Sequence, residues 1–295
     1  MIISKLTGGL GNQMFQYAAG RRLAEKHHTE FKLDLSFFIQ NFDKNTTPRS
    51  YALNIFNTIQ TAATPREINK FYPQSKNRFI NRVLQKMITF GFINTRCYIE
   101  KHFHYDPQVL QLPDQTLLNG YFQCEKYFID IKNILLKEFT LKNPLPKKTG
   151  EMINQIKTTE SVSIHVRRKD YVTNKAANRF HGMCEPEYYQ KAIKIMEEKV
   201  KNPHYYIFSD DTTWVKENIR LPETITYMAD HINKDYMELL LMAKCRHNII
   251  ANSSFSWWGA WLNNNPAKIV ISPKNWFKDP GINTNDLIPH GWTRI

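Results

Sequence analysis

The segment His165-Val166-Arg167-Arg168-Lys169-Asp170-Tyr171 follows a short apolar run that reads as a β-strand. Two guanidinium groups and an ammonium concentrate positive charge where that strand ends, and a guanidinium fork suits phosphate oxygens bidentately. Such a cluster could bind a phosphorylated ligand and neutralise charge developing on a phosphate leaving group. The competing reading is a surface cluster paired with Asp170. Its place at a strand end, beside a histidine, favours phosphate binding.

Three further segments follow apolar runs in the same way. Gly8-Gly9-Leu10-Gly11-Asn12-Gln13 opens a helix, where glycines allow close backbone approach and the helix start offers N–H groups to an anion; a purely structural turn is the alternative. It is neither a Walker loop nor GxGxxG. Ser209-Asp210-Asp211 offers carboxylates to a base or ribose, or an N-cap to the next helix. Asn252-Ser253-Ser254-Phe255-Ser256-Trp257-Trp258-Gly259-Ala260-Trp261 offers hydroxyls and a helix dipole, with Trp258 and Trp261 reading as core. No DxD occurs in the chain and no His/Glu set has ligand spacing, so metal-assisted transfer is not expected.

Parallel strands would bring these segments together, because ligands lie beyond the carboxyl ends of such strands. Runs at 161–166, 204–208, 224–228, 247–251 and 268–271 read as strands, alternating with helical patterns at 187–201, 212–219, 234–246 and 255–263. The alternation argues for a parallel sheet covered on both faces. The first half opens likewise, with a strand at 2–6 and a helix over 13–27, then becomes irregular over 40–115. The stretch 141–149, with Pro144 and Pro146, reads as a linker between domains at 1–145 and 150–295.

Composition bounds the rest. The 295 residues suit two domains, and 42% hydrophobic content excludes general disorder. Lys and Arg number 40 against 27 Asp and Glu, a net +13, which raises nucleic acid, a membrane surface or a phosphorylated metabolite as partners. The basic residues are scattered and form no nucleic-acid tail. Cys97, Cys124, Cys184 and Cys245 lie far apart and read as reduced thiols. With no signal-like start and no long apolar stretch, the expectation is a soluble cytoplasmic protein, able to sit peripherally on the inner face of an anionic membrane.

The run Gly8 to Ala18, the segments His165 to Tyr171 and Phe208 to Asp211, and the run Ile249 to Leu262 together resemble the bacterial α-1,2-fucosyltransferases of glycosyltransferase family 11. Lys169 departs from the pattern, where Gly is common. The resemblance implies an α/β, GT-B-like fold, with two Rossmann-like domains whose parallel sheets face a central cleft. The N-terminal domain would take the acceptor side and the C-terminal one GDP-β-L-fucose. It also implies inverting, metal-independent transfer of fucose, with no cofactor, to the 2-hydroxyl of a terminal β-galactose on an oligosaccharide acceptor.

Carried onto this chain, the resemblance makes Arg167 the β-phosphate ligand and stabiliser of departing GDP. Gly9, Leu10, Gly11 and Asn12 form the loop near the diphosphate and fucose, with Asn12 at the reaction centre. His165 and Arg168 flank the nucleotide, Ser254, Phe255 and Ser256 lie beside ribose and phosphate, and Asp211 and Glu238 are ribose or guanine candidates. Asp170 is favoured as general base over Glu125 and His181. The alternatives are another GDP-sugar or fucose linkage, a basic nucleic-acid-binding protein, and an inactive galactoside-binding module.

Overall fold

The computed structural model describes residues 1–39, 48–73, 77–89, 92–93, 95–168, 182–231 and 234–295. Among them the chain separates into two compact units, one ending at Lys142 and the other running Asn143–Ile295. Each has a parallel sheet of its own.

In the first unit, β1 (Ile2–Lys5), β2 (Phe31–Asp34), β3 (Cys97–Ile99) and β4 (Thr116–Asn119) form a sheet of order β2-β1-β4-β3. All pairings are parallel, with Ile2 opposite both Phe31 and Thr116. The helix α1 (Leu10–His27) crosses from β1 to β2 and is buried nearly all round over its first half, Gln13 and Gln16 included. Gly20 lets it lie close on the sheet, since a Cβ there would come within 2.7 Å of the Phe31 ring. His28, in the left-handed region at φ 47°, ends it. Two short helices follow, α2 (Pro65–Phe71), which has a Thr64–Glu67 capping box, and α3 (Arg78–Thr89). The unit closes with α4 (Lys132–Glu138).

In the second unit the elements run α5 (Lys147–Lys157), β5 (Glu160–Val166), α6 (Pro186–Lys199), β6 (Pro203–Ser209), α7 (Thr212–Asn218), β7 (Ile225–Tyr227), α8 (Asp235–Lys244), β8 (His247–Ile249), α9 (Ser254–Trp261), β9 (Val270–Ser272) and β10 (Thr293–Arg294). The sheet order is β10-β9-β8-β5-β6-β7, again all parallel, with Val162 opposite Tyr205 and His247. The pleat of β6 divides the core. Tyr205 and Ile207 pack with Tyr189, Ile193 and Met196 of α6, whereas Tyr206 and Phe208 pack with Ile153 and Ile156 of α5 and Leu241 and Met242 of α8. Sheets buried on both faces give the continuous apolar runs seen in the sequence.

The helices and strands expected in the second half are present, with ends shifted by at most two residues. Two corrections apply. The expected linker is shorter, because Lys147–Thr149 already form the first turn of α5. The region expected to be irregular contains β3, a three-residue strand too short to show alternation. Strands β2, β4 and β10 were also not legible.

Candidate active site

The chain runs from β5 to β6 and β7 on one side, then returns to place β8 on the other side of β5. That reversal opens a crevice beyond the carboxyl ends of β5 and β8, the general ligand position in such sheets. Arg167 and Arg168 follow β5, and Ser253 and α9 follow β8. The His165 and Phe255 rings, 5.6 Å apart, join the two segments. His165 is buried, and desolvation, with Arg167 nearby, lowers its pKa to about 3, so the imidazole is neutral.

Asp210, at the end of β6, holds both arginines. Its Oδ2 lies 3.2 Å from Nη1 of Arg167, and its Oδ1 accepts the Arg168 backbone N–H at 2.9 Å. Arg168 is packed away, its guanidinium 3.8 Å from the centre of the Trp214 ring and its Nε 3.6 Å from Asp211. Arg167 keeps 27% of its side chain exposed, against 15% for Arg168. The geometry therefore offers Arg167, oriented by the Asp210 carboxylate, as the arginine within reach of an anion. Asp211 also caps α7, accepting the Trp214 N–H at 3.2 Å.

Glu238, on α8, lies close enough to feel both Arg167 and Asp210. Burial first, then repulsion from Asp235 and Asp210, raises its pKa to about 7, with Arg167 opposing. At the start of α9, the Ser253 hydroxyl accepts the Phe255 N–H at 3.3 Å. Ser254 and Phe255 are part-exposed. Ser256 is buried and its hydroxyl donates to the Ser253 carbonyl at 3.3 Å, so any ligand contact there falls to its backbone. Trp257, Trp258 and Trp261 are all buried, as core.

The first unit repeats the logic. Its sheet reverses between β1 and β4, and their exits are Thr7–Asn12 and Gly120–Gln123. Gly9 is the N-cap of α1, followed by Leu10 and Gly11 in the first turn. Gly8 has φ +73°, and a Cβ on it would meet Nδ2 of Asn12 at 2.7 Å. A Cβ on Gly9 would meet nothing within 4 Å. Gln13 ties the loop down, donating to the carbonyls of Gly8 and Ser50 and accepting the Ala52 N–H, each at 2.9 Å. Gln16 does the same for Thr7 and Gly120.

Asn12 accepts a 2.9 Å hydrogen bond from Gln123 Nε2. The turn presenting Gln123 includes Phe122 in the left-handed region at φ 52°, held by Glu100, which accepts the N–H groups of Tyr121 at 2.6 Å and Phe122 at 3.0 Å. Burial raises the Glu100 pKa.

Asp170 and His181 lie outside the described residues, as does Lys169. Glu125, in a short 3₁₀ turn after Gln123, is half-buried. Sequence marked Asp210 only alongside Asp211, as an acceptor for a base or ribose or as a cap, and not as the group that holds the arginines; the individual roles of Gln13, Gln16, Gln123 and Glu100 were not singled out. For Asp210 the signal was two adjacent acids at a strand end, of which one suffices as a cap. For the glutamines it was polar residues on a helix buried on all sides. Among the described residues, no group of three or more His, Cys, Asp or Glu could hold a metal ion. None of the four cysteines forms a disulfide.

The model of glycosyl transferase family 11 matches residues 2–295. The chain belongs to this family. It is 34% identical to the α-1,2-colitosyltransferase of Escherichia coli, over 100% of this chain and 99% of that one, and 34% identical to the O-antigen biosynthesis glycosyltransferase WbnK of Escherichia coli, over 99% of each. A shorter match, 24% identical over 49% of this chain and 45% of the other, is to galactoside α-(1,2)-fucosyltransferase 2 of Sus scrofa. The fold is similar to the crystal structure of POFUT1 in complex with GDP, with a TM-score of 0.50 and 12% identity over 92% of this chain and 97% of that one. The family 11 chain is thus a glycosyltransferase of GT-B-like, α/β fold.

Proposed function

We propose that this family 11 enzyme transfers L-fucose from GDP-β-L-fucose to the 2-hydroxyl of a terminal β-galactose, with inversion and without a metal. The observation that carries the reading is Arg167, part-exposed at the switch point of the second sheet and oriented by Asp210. As the fucosyl–oxygen bond breaks, negative charge grows on the β-phosphate, and a preorganised guanidinium stabilises it there. The second unit is proposed as the donor side. There His165 and Arg168 flank the nucleotide, the first turn of α9 at Ser254, Phe255 and Ser256 lies beside ribose and phosphate, and Asp211 and Glu238 complete the ribose or guanine contacts. The first unit is proposed as the acceptor side, with the Gly9 to Asn12 turn approaching diphosphate and fucose.

In this reading the galactose oxygen attacks the anomeric carbon as GDP leaves. Its proton passes to a base, for which Asp170 is proposed. A dissociative, oxocarbenium-like path asks little of that base. Near-normal turnover in Asp170→Asn with intact GDP binding would remove Asp170 from the role.

The deciding assay is GDP release from GDP-fucose in EDTA, with and without lactose, followed by linkage analysis. Lactose-dependent release with a 2-linked fucose is expected; release only on adding a divalent metal, or a different linkage, sinks the corresponding part. The 34% identity to a colitosyltransferase supports a second reading, in which the same site transfers colitose. Competition between the two donors distinguishes them. The similarity to an O-antigen glycosyltransferase supports a lipid-linked or other surface-polysaccharide acceptor, and with it peripheral work at an anionic membrane. Among the described residues, no helix is long and apolar enough to cross one.

A further inference from the structure

The helix α3 carries an apolar surface that no described residue of its own unit covers. Phe79, Ile80, Val83, Leu84, Met87 and Ile88 recur at helical spacing along its 12 residues. Leu84 and Ile88 are half-buried. The others form a strip about 100° wide that faces solvent: Phe79 is 75% exposed, and Ile80, Val83 and Met87 are exposed too. Phe92, just past the helix, is 77% exposed and extends the patch. Isolated exposed apolar residues need no explanation, but a contiguous strip marks an interaction surface.

Charge identifies the occupant. Arg82 and Lys86 are exposed and border the strip on the side away from Leu84 and Ile88. No acidic residue occurs between Glu67 and Glu100, while Lys70, Lys76, Arg78, Arg82, Lys86 and Arg96 are all basic. A second copy of the chain would bring this segment against its own like charges. A bilayer with anionic headgroups supplies hydrocarbon for the strip and opposite charge for its border together, while the long basic side chains reach the headgroup level. At about 18 Å the helix is far too short to span.

We propose that α3 is the membrane-contacting element of this enzyme, lying in the interface with Phe79, Val83 and Met87 among the acyl chains and Arg82 and Lys86 among anionic headgroups. The inference rests on the peripheral association proposed above and names the element responsible.

The test is co-sedimentation of the full chain with phosphatidylcholine vesicles, with and without phosphatidylglycerol. Wild-type protein is expected to pellet with the phosphatidylglycerol vesicles and to be released by salt. The pair Phe79→Ser and Val83→Ser should weaken binding at least tenfold. The pair Arg82→Gln and Lys86→Gln should weaken it roughly thirtyfold, about fivefold for each charge. Both variants should keep wild-type turnover on soluble lactose, because none of these residues belongs to the active site. Undiminished binding by the Phe79/Val83 variant would overturn the assignment to α3 and leave peripheral association standing. Wild-type protein that stays in the supernatant would overturn both, and a vesicle-free dimer dissolved by the same variant would assign the strip to a second copy. Absence of turnover by wild-type protein would bear on the transfer reaction and leave the vesicle result to stand alone.

Discussion

Arg167 and Arg168 are neighbours in sequence with different fates, because Asp210 takes one side chain and the backbone of the other. Arg167→Ala should lower kcat/KM at least a hundredfold, about 3 kcal/mol of lost transition-state stabilisation, with the thermal midpoint little changed; steady-state kinetics checks this. Two adjacent glycines make a sharper pair. Gly8→Ala forces an L side chain into φ +73° against Asn12 and should destabilise by about 1–2 kcal/mol. Gly9→Ala meets open space and should leave denaturation unchanged, yet reduce activity if a ligand approaches that backbone. Glu238 makes a pH prediction. Its folded pKa of about 7 stands above the ordinary 4.5, so its stabilising contribution is complete below 4.5 and is lost as pH rises through 7. Glu238→Gln should therefore be the more stable protein above pH 7, by roughly 1–2 kcal/mol after allowing for solvent screening. The difference should close below pH 4.5 in urea titrations at several pH values. His165 acts in the opposite direction, losing stability as pH falls from 6.5 toward 3.

At the scale of elements, the exits of β1, β3 and β4 are coupled through side-chain-to-backbone hydrogen bonds. Glu100 follows β3 and fixes the turn after β4, Gln123 in that turn holds Asn12, and Gln16 links Thr7 to Gly120. Removing the carboxylate in Glu100→Ala leaves two backbone N–H groups without an acceptor and Phe122 in an unfavourable region. The expected loss is on the order of 2 kcal/mol, with a larger proportional fall in kcat/KM as Asn12 loses its support. Glu100→Gln, which retains an acceptor oxygen, should recover part of both. The Thr7–Gly9 turn was legible because Gly8 and Gly9 stand before a helix start, although that start comes at Leu10 and not at the expected Gln13. Glu100 was not, because its partners are backbone groups 21 and 22 residues away that any sequence carries.

For the whole molecule, two parallel sheets each reverse their strand order, at β1/β4 and at β5/β8, and three of the four motifs noted in sequence leave those strands, while Ser209–Asp211 leaves the neighbouring β6. GDP should raise the thermal midpoint with concentration, reaching about 2.7 kcal/mol at a hundredfold excess over Kd. Calorimetry should show the same rise in EDTA and a smaller one for Arg167→Ala. What the sequence by itself determined was the α/β class, the alternation of elements in the second half, the family and the arginine segment here proposed to bind phosphate. These depend on local patterns: hydrophobic periodicity, glycine before a helix, and basic residues at a strand end. Only the tertiary structure decided that Asp210 orients Arg167, that Arg168 is packed on Trp214, that Ser256 serves its own helix, and that α3 leaves its apolar strip uncovered. Each of these depends on which groups the fold brings within 3–4 Å or leaves in solvent. Burial and partner choice are properties of packed surfaces, whereas a linear pattern carries only the side chain's type and its place in the repeat.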